Sequence, residues 1–437
     1  MLMRTPYIYT YARTRKQWLK AVLLMLLLAG TVALVPAQTC RTLTPMVRTL
    51  QVTANGDWLL PTVIELGTDD FVTVSFDYLS HEYHRFVWHL QHCNADWTPS
   101  DLYEVDWLDG FNDRPIDYYE NSLNTSVLYT HYAVDFPNDD VALKLSGNYR
   151  VTIYDERSTD TETVREPVAE AFFRIVEPRV EITATVSGNT DIDTYADHQQ
   201  VSFSIRHDGY PILYPDTELS VFVVQNDRPD AVVGGLKPSY ITNGRLDFFH
   251  DHRLIFLGSN EFRRFELINM HYGNQGVSDV TYYAPYFHAE LFADARRRAY
   301  SYDEDHNGRL LVRYNMADDD DTEADYFFAH FALDMPYALD GDYYVSGAFS
   351  HGLPLPEYRM TYNDATRRYE AAALLKQGAY DYQYLFVPTG SPTPDAVRSP
   401  EGNFYETENE YAIYVYHRPF GDRYDHLVGF FRLEKEE

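Results

Sequence analysis

Much of the chain consists of short segments in which apolar and polar residues alternate. Residues 71–78 (FVTVSFDY) place Val72, Val74 and Phe76 on one face at a period of two. Residues 180–186 (VEITATV) and 201–205 (VSFSI) show the same pattern. A period of two is typical of strands that bury one face. These segments therefore predict a β-protein.

Further strands are predicted where apolar runs lie between turn residues. They cover residues 85–92, 149–154, 171–176, 219–224, 261–268, 282–292, 310–313, 327–331, 343–345, 368–374, 380–387, 412–417 and 427–433. The turn cluster at 418–422 (RPFGD) predicts a hairpin between the last two. No long segment with the helical period follows the N-terminus, so the predicted fold class is all-β, built of consecutive β-sandwich domains.

Boundary residues divide this pattern into three β domains. Glu177-Pro178 separates a first domain, 38–177, from a second, 178–297, and the third covers 298–437. Within the first domain, the polar and aromatic stretch 94–138 is too long for a hairpin connection. Loops of that length are often functional.

The N-terminus carries the three-part pattern of a secretory signal peptide. Five basic residues precede the apolar run 21–35, and Val35-Pro36-Ala37 supplies small residues before a cut after Ala37. We expect residues 1–37 to be cleaved; a retained anchor is the alternative, although the run is short for a spanning helix. Lipid attachment at Cys40 is disfavoured because Thr39 is not the small residue that normally precedes an acylated cysteine.

The charge excludes one large class of function. The 437 residues include 36 Lys and Arg against 66 Asp and Glu, a formal charge of −30. Removal of 1–37, which holds five basic residues and no acidic one, changes this to −35. A nucleic-acid binder needs a basic surface to displace counterions, so no nucleic-acid partner is expected. An aromatic content of 16% suits strands.

Three polar clusters partly resemble metal sites, but local structure explains each of them better. His81, His84, His89 and His92 lack the i, i+4 spacing of a zinc-protease helix. Residues 303–308 (DEDHNG) resemble the start of a calcium loop, but position 12 is Tyr314, and Asn307-Gly308 predicts a turn. The acidic run 318–325 is expected to be a solvated loop, with a divalent ion or a basic partner as the alternative. We therefore expect no metal and no cofactor.

Cys40 and Cys93 are the only cysteines. In an oxidising compartment they could form one disulfide between the N-terminal segment and the first domain. Two free thiols, one of them buried, are the other possibility.

One set of motifs runs through nearly all of the chain that follows residue 37. It comprises 92–97 (HCNADW), 108–111 (LDGF), 124–125, 129–132 (YTHY), 136–138, 146–149 (SGNY), 225–228 (QNDR), 258–263 (GSNEFR), 316–326, 375–378 (LKQG), 401–404 (EGNF) and 407–411 (TENEY). In this order and spacing, the motifs resemble the plug protein family of the type IX secretion system of Bacteroidota. The resemblance implies a non-enzymatic periplasmic protein at the inner face of the outer membrane. Its partner would be the giant outer-membrane β-barrel translocon, whose periplasmic opening it would seal.

The third domain also resembles early-set immunoglobulin-like modules related to glycogen-binding domains, through residues 341–348, 360–362, 368–370 and 378–384. This resemblance gives the alternative function, a periplasmic or surface glycan-binding protein. The stretch 349–354 (FSHGLP), where such modules carry an aromatic platform, contains no tryptophan. A secreted hydrolase is a third possibility, but no catalytic motif supports an enzyme.

A plug would bind its partner through exposed aromatic side chains flanked by polar groups. The stretch 94–138 offers the candidates, and the alternative is that they belong to the core of the first domain. We expect the free protein to be monomeric. The candidate contact residues are Trp97, Trp107, Phe111, Tyr118 and Tyr119.

Overall fold

Nearly every regular element of the structure is a β-strand, which confirms the predicted all-β class. The computed structural model describes residues 39–158, 162–272 and 274–434, so the predicted signal peptide, 1–37, lies outside the described residues. The helices are single turns: α1 (Glu104–Trp107), α2 (Pro215–Glu218), α3 (Asp320–Glu323), and 3-10 turns at His252–Leu254, Ala348–Ser350, Pro356–Tyr358 and Ala396–Arg398.

The first sandwich packs a sheet in the order β1-β12-β11-β5-β7, with β3 beside β12, against a sheet in the order β2-β4-β9-β8. In β4, Val72, Val74 and Phe76 are fully buried, as their alternation predicts. β6 and β10 form a separate pair. The strands are β1 (Arg41–Thr42), β2 (Val47–Ala54), β3 (Val63–Glu65), β4 (Val72–Tyr78), β5 (Arg85–Cys93), β6 (Leu108–Gly110), β7 (Arg114–Pro115), β8 (Tyr118–Asn121), β9 (Thr130–Phe136), β10 (Val141–Leu143), β11 (Gly147–Ser158) and β12 (Thr163–Val176).

The second sandwich begins with a sheet in the order β13-β14-β18-β17, to which β19 adds beside β14. β15 and β16 start its opposite sheet. The mostly apolar β15 lies inside that sheet, with a strand paired on each of its edges. The strands are β13 (Glu181–Ser187), β14 (His198–Arg206), β15 (Leu219–Gln225), β16 (Val232–Val233), β17 (Tyr240–Thr242), β18 (Arg245–Phe248) and β19 (Ile255–Leu257).

The third sandwich combines a sheet in the order β20-β29-β24, with β26 also on β29, and a sheet in the order β21-β22-β25-β28-β27, with β23 on β25. Its core is rich in tyrosine and phenylalanine. The strands are β20 (Arg263–Leu267), β21 (Val277–Tyr283), β22 (Tyr286–Leu291), β23 (Asp294–Ala295), β24 (Leu310–Val312), β25 (Tyr326–Asp334), β26 (Gly341–Ser346), β27 (Thr361–Asn363), β28 (Arg368–Lys376) and β29 (Gly378–Pro388).

The chain then returns to the second sandwich through a last hairpin, β30 (Glu410–His417) and β31 (His426–Glu434). β30 pairs with β15 along its length, which completes the order β16-β15-β30-β31. Tyr411, Ile413 and Val415 enter the same buried cluster as Val221 and Val223. The third sandwich is therefore inserted between two parts of the second.

This pairing crosses the domain boundary expected at 297/298. β20 precedes that boundary and pairs with β29, which follows it, and β15 pairs with β30 in the same way. The physical reason is that a central strand such as β15 needs a neighbour on each edge, and its second neighbour comes from the end of the chain. Sequence order alone contains no sign of that return.

One segment that was predicted as a single strand forms two strands in the structure. Residues 282–292 were expected to form a single strand, but β21 ends at Tyr283 and β22 begins at Tyr286, with Ala284-Pro285 forming the turn between them. Proline lacks the N–H that an inner strand requires, so it marks the bend. The hairpin predicted at 418–422 is confirmed: β30 and β31 pair antiparallel, and the amide of Asp422 donates to the carbonyl of Pro419 (3.0 Å).

Candidate docking surface and the joints between sandwiches

The five candidate contact residues separate into a buried and an exposed group. Trp97 and Trp107 are 7% and 5% exposed, whereas Phe111 is 75%, Tyr118 49% and Tyr119 46% exposed. Only the last three are available to a partner. The stretch 94–138 therefore contributes both to the interior and to the surface.

Trp97 belongs to the joint between the first and second sandwiches. Its ring packs edge-on against Phe172 (5.2 Å between centroids), and the guanidinium of Arg174 lies 4.9 Å above it. The same guanidinium lies 4.2 Å from the ring of Tyr414 on β30. Cation–π contacts of this kind are strongest where water is excluded. A residue predicted to meet a partner protein is thus an internal contact.

Hydrogen bonds extend this first–second joint around the motif HCNADW. The amide of Ala95 donates to Asp425 Oδ2 (2.9 Å), and Tyr416 Oη donates to Asn148 Oδ1 (2.6 Å). Arg423 reaches Asp106 on α1 (2.7 Å). The three residues that contact the first sandwich here, Asp425, Tyr416 and Arg423, lie in the C-terminal hairpin β30–β31 or its turn. The family motif is therefore explained, at least here, by the contact between sandwiches.

Trp107 belongs to the core of the first sandwich, and His92 is buried beside it and also contacts Tyr424 of the C-terminal hairpin (5.2 Å). Their rings are tilted against each other at 6.2 Å, and both contact Tyr149. His92 bonds Ser100 Oγ (2.9 Å) and the carbonyl of Ser146 (3.1 Å), and burial lowers its pKa to about 4. It is therefore neutral at physiological pH, held by fixed polar partners.

The other three histidines of the cluster take separate partners. His81 contacts Ser122 (2.9 Å), while His84 and His89 face Asp155 and Asp113, each at 3.2 Å. In the described part of the chain, no three His, Cys, Asp or Glu side chains are grouped so that they could hold a metal ion.

The calcium-like loop is the predicted turn. Asn307 and Gly308 have φ of 53° and 87°, the left-handed region that an Asn-Gly turn requires. Asp305 accepts from the amides of Phe262 and Asn307, and Asp381 on β29 accepts from Gly308 (3.3 Å). Burial, and then the charge of Asp303, raises the pKa of Asp305 to about 6. Burial, and then the charge of Asp305, raises the pKa of Asp381 to about 7.

The acidic run 318–325 is a packed turn and not the solvated loop that was expected. Asp319 caps α3 by accepting from the amide of Asp321 (3.0 Å), and Asp320 accepts from the amide of Tyr314 (2.7 Å). The carboxylate of Asp325 is buried and accepts from the amides of Ser126 and Val127 in the first sandwich (2.7 and 3.1 Å). Like charges are tolerated because backbone N–H groups bind them.

A buried ionic cluster completes the joint between the first and third sandwiches. Asp77 on β4 receives Lys376 Nζ from β28 (2.7 Å), Tyr326 Oη from β25 (2.7 Å) and His131 Nδ1 from β9 (2.8 Å). Burial raises the pKa of Asp77, but Lys376 and His131 lower it by more, so the net shift is downward. The Lys376 ammonium also lies 4.3 Å from the ring centre of Tyr129.

The link between the second and third sandwiches is also polar and buried. Arg309 of the third sandwich pairs with Glu410 on β30 (3.0 Å). The amide of Glu408 in the second sandwich donates to Glu261 Oε1 in the third (3.1 Å). Sequence reasoning had singled out none of these residues for a role. The signal available was that Glu261, Glu408 and Glu410 all fall within the family motifs.

The two cysteines contact one small cluster that includes Trp97 and Phe172. Both are free thiols in the structure; Cys93 is buried and Cys40 partly buried. Burial raises the pKa of Cys40 to about 12 and of Cys93 to about 11. The structure thus corresponds to the free-thiol alternative.

The exposed group centres on β8. Tyr119 contacts Tyr83 (5.7 Å) and is stacked on Tyr132 of β9 (5.7 Å). Tyr83 is itself 69% exposed. We use the name β8 edge for Tyr118–Asn121 together with Tyr83.

Fold and joints together define an interlocked protein of three β-sandwiches, with polar clusters that bind the sandwiches to each other. Residues 47–177 match the family described as type 9 secretion system plug protein 1st domain. The chain belongs to the type IX secretion system plug protein family.

Its relation to a solved structure covers almost the whole chain. A crystal structure of a hypothetical protein from Parabacteroides merdae ATCC 43184 is 41% identical, with a TM-score of 0.86, over 91% of this chain and 99% of that one. No curated protein matched the chain. Among the residues that the structure describes, no helix is long and apolar enough to cross a membrane.

Proposed function

We propose that this protein is a non-enzymatic periplasmic plug that binds and seals the periplasmic opening of the giant outer-membrane β-barrel translocon of the type IX system. The observation that carries the proposal is membership of the plug family. We further propose that residues 1–37 direct export and that the domains are 39–177, 178–260 with 404–434, and 261–403. The last division follows the strand pairing.

The joints support a steric mechanism. A seal must keep its shape against an opening, and three sandwiches held by buried ion pairs and cation–π contacts move less freely than modules on linkers. Asp77–Lys376 and Arg174 between Trp97 and Tyr414 are two such contacts. Interfaces between domains in one chain otherwise permit relative motion.

The glycan-binding alternative has less support. At the position where related modules carry a sugar platform, Phe349 packs against Tyr358 (5.1 Å) and Tyr380 (6.0 Å). Both partners belong to the core cluster of the third sandwich. Phe349 is thus a partly buried side chain packed against that core, not a free-standing aromatic platform.

Affinity purification from native outer membranes tests the proposal. The tagged protein should co-purify with a very large barrel protein, and deletion of its gene should make the outer membrane permeable to a large antibiotic that it normally excludes. Complementation with the intact gene is the control. Absence of the barrel from the purified material, together with unchanged permeability, would refute the plug function.

A further inference from the structure

β8 is an open edge of a sheet. It pairs with β9 on one side, and within the described ranges no strand pairs with its other side. All four of its residues are exposed. Edge strands are usually blocked by lysine, proline, a bulge or a covering segment, because an open row of N–H and C=O groups recruits other strands. β8 has no lysine or proline and pairs with β9 without a register shift.

The side chains of the β8 edge offer contacts on both faces. Tyr118 and Glu120 point to one side and Tyr119 to the other, since side chains alternate along a strand. On the Tyr119 side, Tyr83 adds a second exposed ring. A strand added here would find apolar contacts for its own alternate side chains, the arrangement by which strand addition gains specificity.

The surroundings of this edge are acidic. Glu120 lies opposite His131 on β9, and Asp321 Oδ2 lies 3.8 Å from the Nε2 atom of the same histidine. Asp321 remains 56% exposed at its side chain. Burial, and then the charges of Glu120, Asp319 and Asp321, raise the pKa of Tyr118. Carboxylates from the first and third sandwiches thus lie near Tyr118.

We propose that β8 accepts an extended segment of a partner protein in which Lys or Arg alternates with apolar residues, so that the four-stranded sheet gains a fifth strand. Main-chain hydrogen bonds would supply affinity, and the basic residues would face Glu120 and Asp321. The inference rests on the proposed function in one respect: the partner that carries this extended segment would be a protein of the secretion machinery.

A second open edge provides a matched control. β17 ends its sheet, and Tyr240 and Ile241 are 60% and 55% exposed. Tyr240 and Thr242 lie opposite Asp247 and Arg245, which pair with each other at 2.6 Å. The double variant Tyr240→Ser/Ile241→Ser therefore removes exposed apolar area from an edge at which a basic residue balances the acidic one.

The direct test uses a fluorescein-labelled peptide, Lys-Val-Lys-Val-Lys-Val-Lys, and the purified protein in an anisotropy titration. Binding should be saturable, should weaken as salt rises, and should fall at least tenfold in Tyr118→Ser/Glu120→Lys while the β17 variant binds like wild type. The same peptide with its central valine replaced by proline separates strand addition from charge attraction, because proline cannot continue the ladder. Equal binding of both peptides, or of both variants, would overturn the proposal.

Two further measurements separate the outcomes. If the barrel co-purifies equally with wild type and the β8 variant, the plug function stands and the assignment to β8 fails. If the barrel never co-purifies, the plug function fails, while the peptide titration still decides whether β8 accepts a strand.

Sedimentation tests whether a second copy of the chain occupies the edge instead. If the wild type forms a dimer and the β8 variant does not, the edge binds a second copy and the proposal is overturned. Unchanged thermal unfolding shows that each variant is folded.

Discussion

Lys376 Nζ and Asp77 Oδ2 are 2.7 Å apart, and each side chain is only 1% exposed, although the two residues belong to different sandwiches. Removing one partner from such a pair leaves a buried charge without compensation. The pair therefore couples the folding of the first sandwich to its contact with the third.

We expect Lys376→Met to lower the free energy of unfolding by about 3–5 kcal/mol. Arg368→Ala is the control, because Arg368 and Asp334 form a 2.6 Å pair whose side chains are 41% and 49% exposed, and its loss should cost about 1 kcal/mol or less. Denaturant unfolding monitored by fluorescence measures both. Equal losses would show that the buried pair has no special role.

The pH dependence of Asp77 has a defined sign. Its pKa in the folded protein is below the ordinary value of 3.8, so its stabilising contribution is present above that value and is lost as pH falls through the folded-state pKa. Asp77→Asn should therefore be less stable than wild type at pH 7, and the difference should shrink below about pH 4. Unfolding curves at a series of pH values give this difference, and a constant difference would contradict the assignment.

Asp381 should behave in the opposite way. Burial, and then Asp305, raises its pKa to about 7, so the folded protein binds this proton more tightly than the unfolded chain does. Its contribution to stability therefore decreases as pH rises from about 4 to about 7. The free energy of unfolding of Asp381→Asn, relative to that of the wild type, should therefore rise by on the order of 2–4 kcal/mol from pH 4 to pH 8. Unfolding of Asp77→Asn and Asp381→Asn over the same pH range tests the sign of the pH-dependent stability change that each variant should show.

Much of the fold could be predicted from the sequence because alternation reports which face of a strand is buried. Val72, Val74 and Phe76 are an example, and the all-β class followed from such segments. Alternation does not report which strand is the neighbour. β15 and β30 are far apart in sequence, and nothing local connects them. The insertion of the third sandwich could be seen only from the pairing.

The surface could be predicted only in part, for a related reason. The residues next to an aromatic side chain in a long loop do not show whether it packs against a distant part of the chain or faces water. Trp97 is covered by Arg174 and Phe172, whereas Phe111 has no such cover and is 75% exposed. The acidic run was misread similarly, because its backbone amide partners, such as those of Ser126 and Val127, are distant in the chain.

This difference between two aromatic residues is measurable. Trp97→Ala should cost about 3–5 kcal/mol, the usual loss for a buried tryptophan, and should increase amide exchange in β30 by loosening the joint. Phe111→Ala should change stability by no more than about 0.5 kcal/mol, as for most exposed positions. Hydrogen exchange with mass spectrometry and denaturant unfolding supply the two readouts. If Trp97→Ala unfolds at the same denaturant concentration as the wild type, the joint does not depend on this ring.

The thiols provide a final test of the interior. With the pKa of Cys93 raised to about 11, the reactive thiolate is roughly one molecule in three thousand at pH 7.5. A thiol reagent should therefore label the native protein very slowly, and two thiols per chain should titrate once guanidinium unfolds it. Cys93→Ala should leave one. Protein purified from the periplasm that shows no thiol in guanidinium until a reductant is added would instead contain the Cys40–Cys93 disulfide, and rapid labelling of the native protein would contradict the burial.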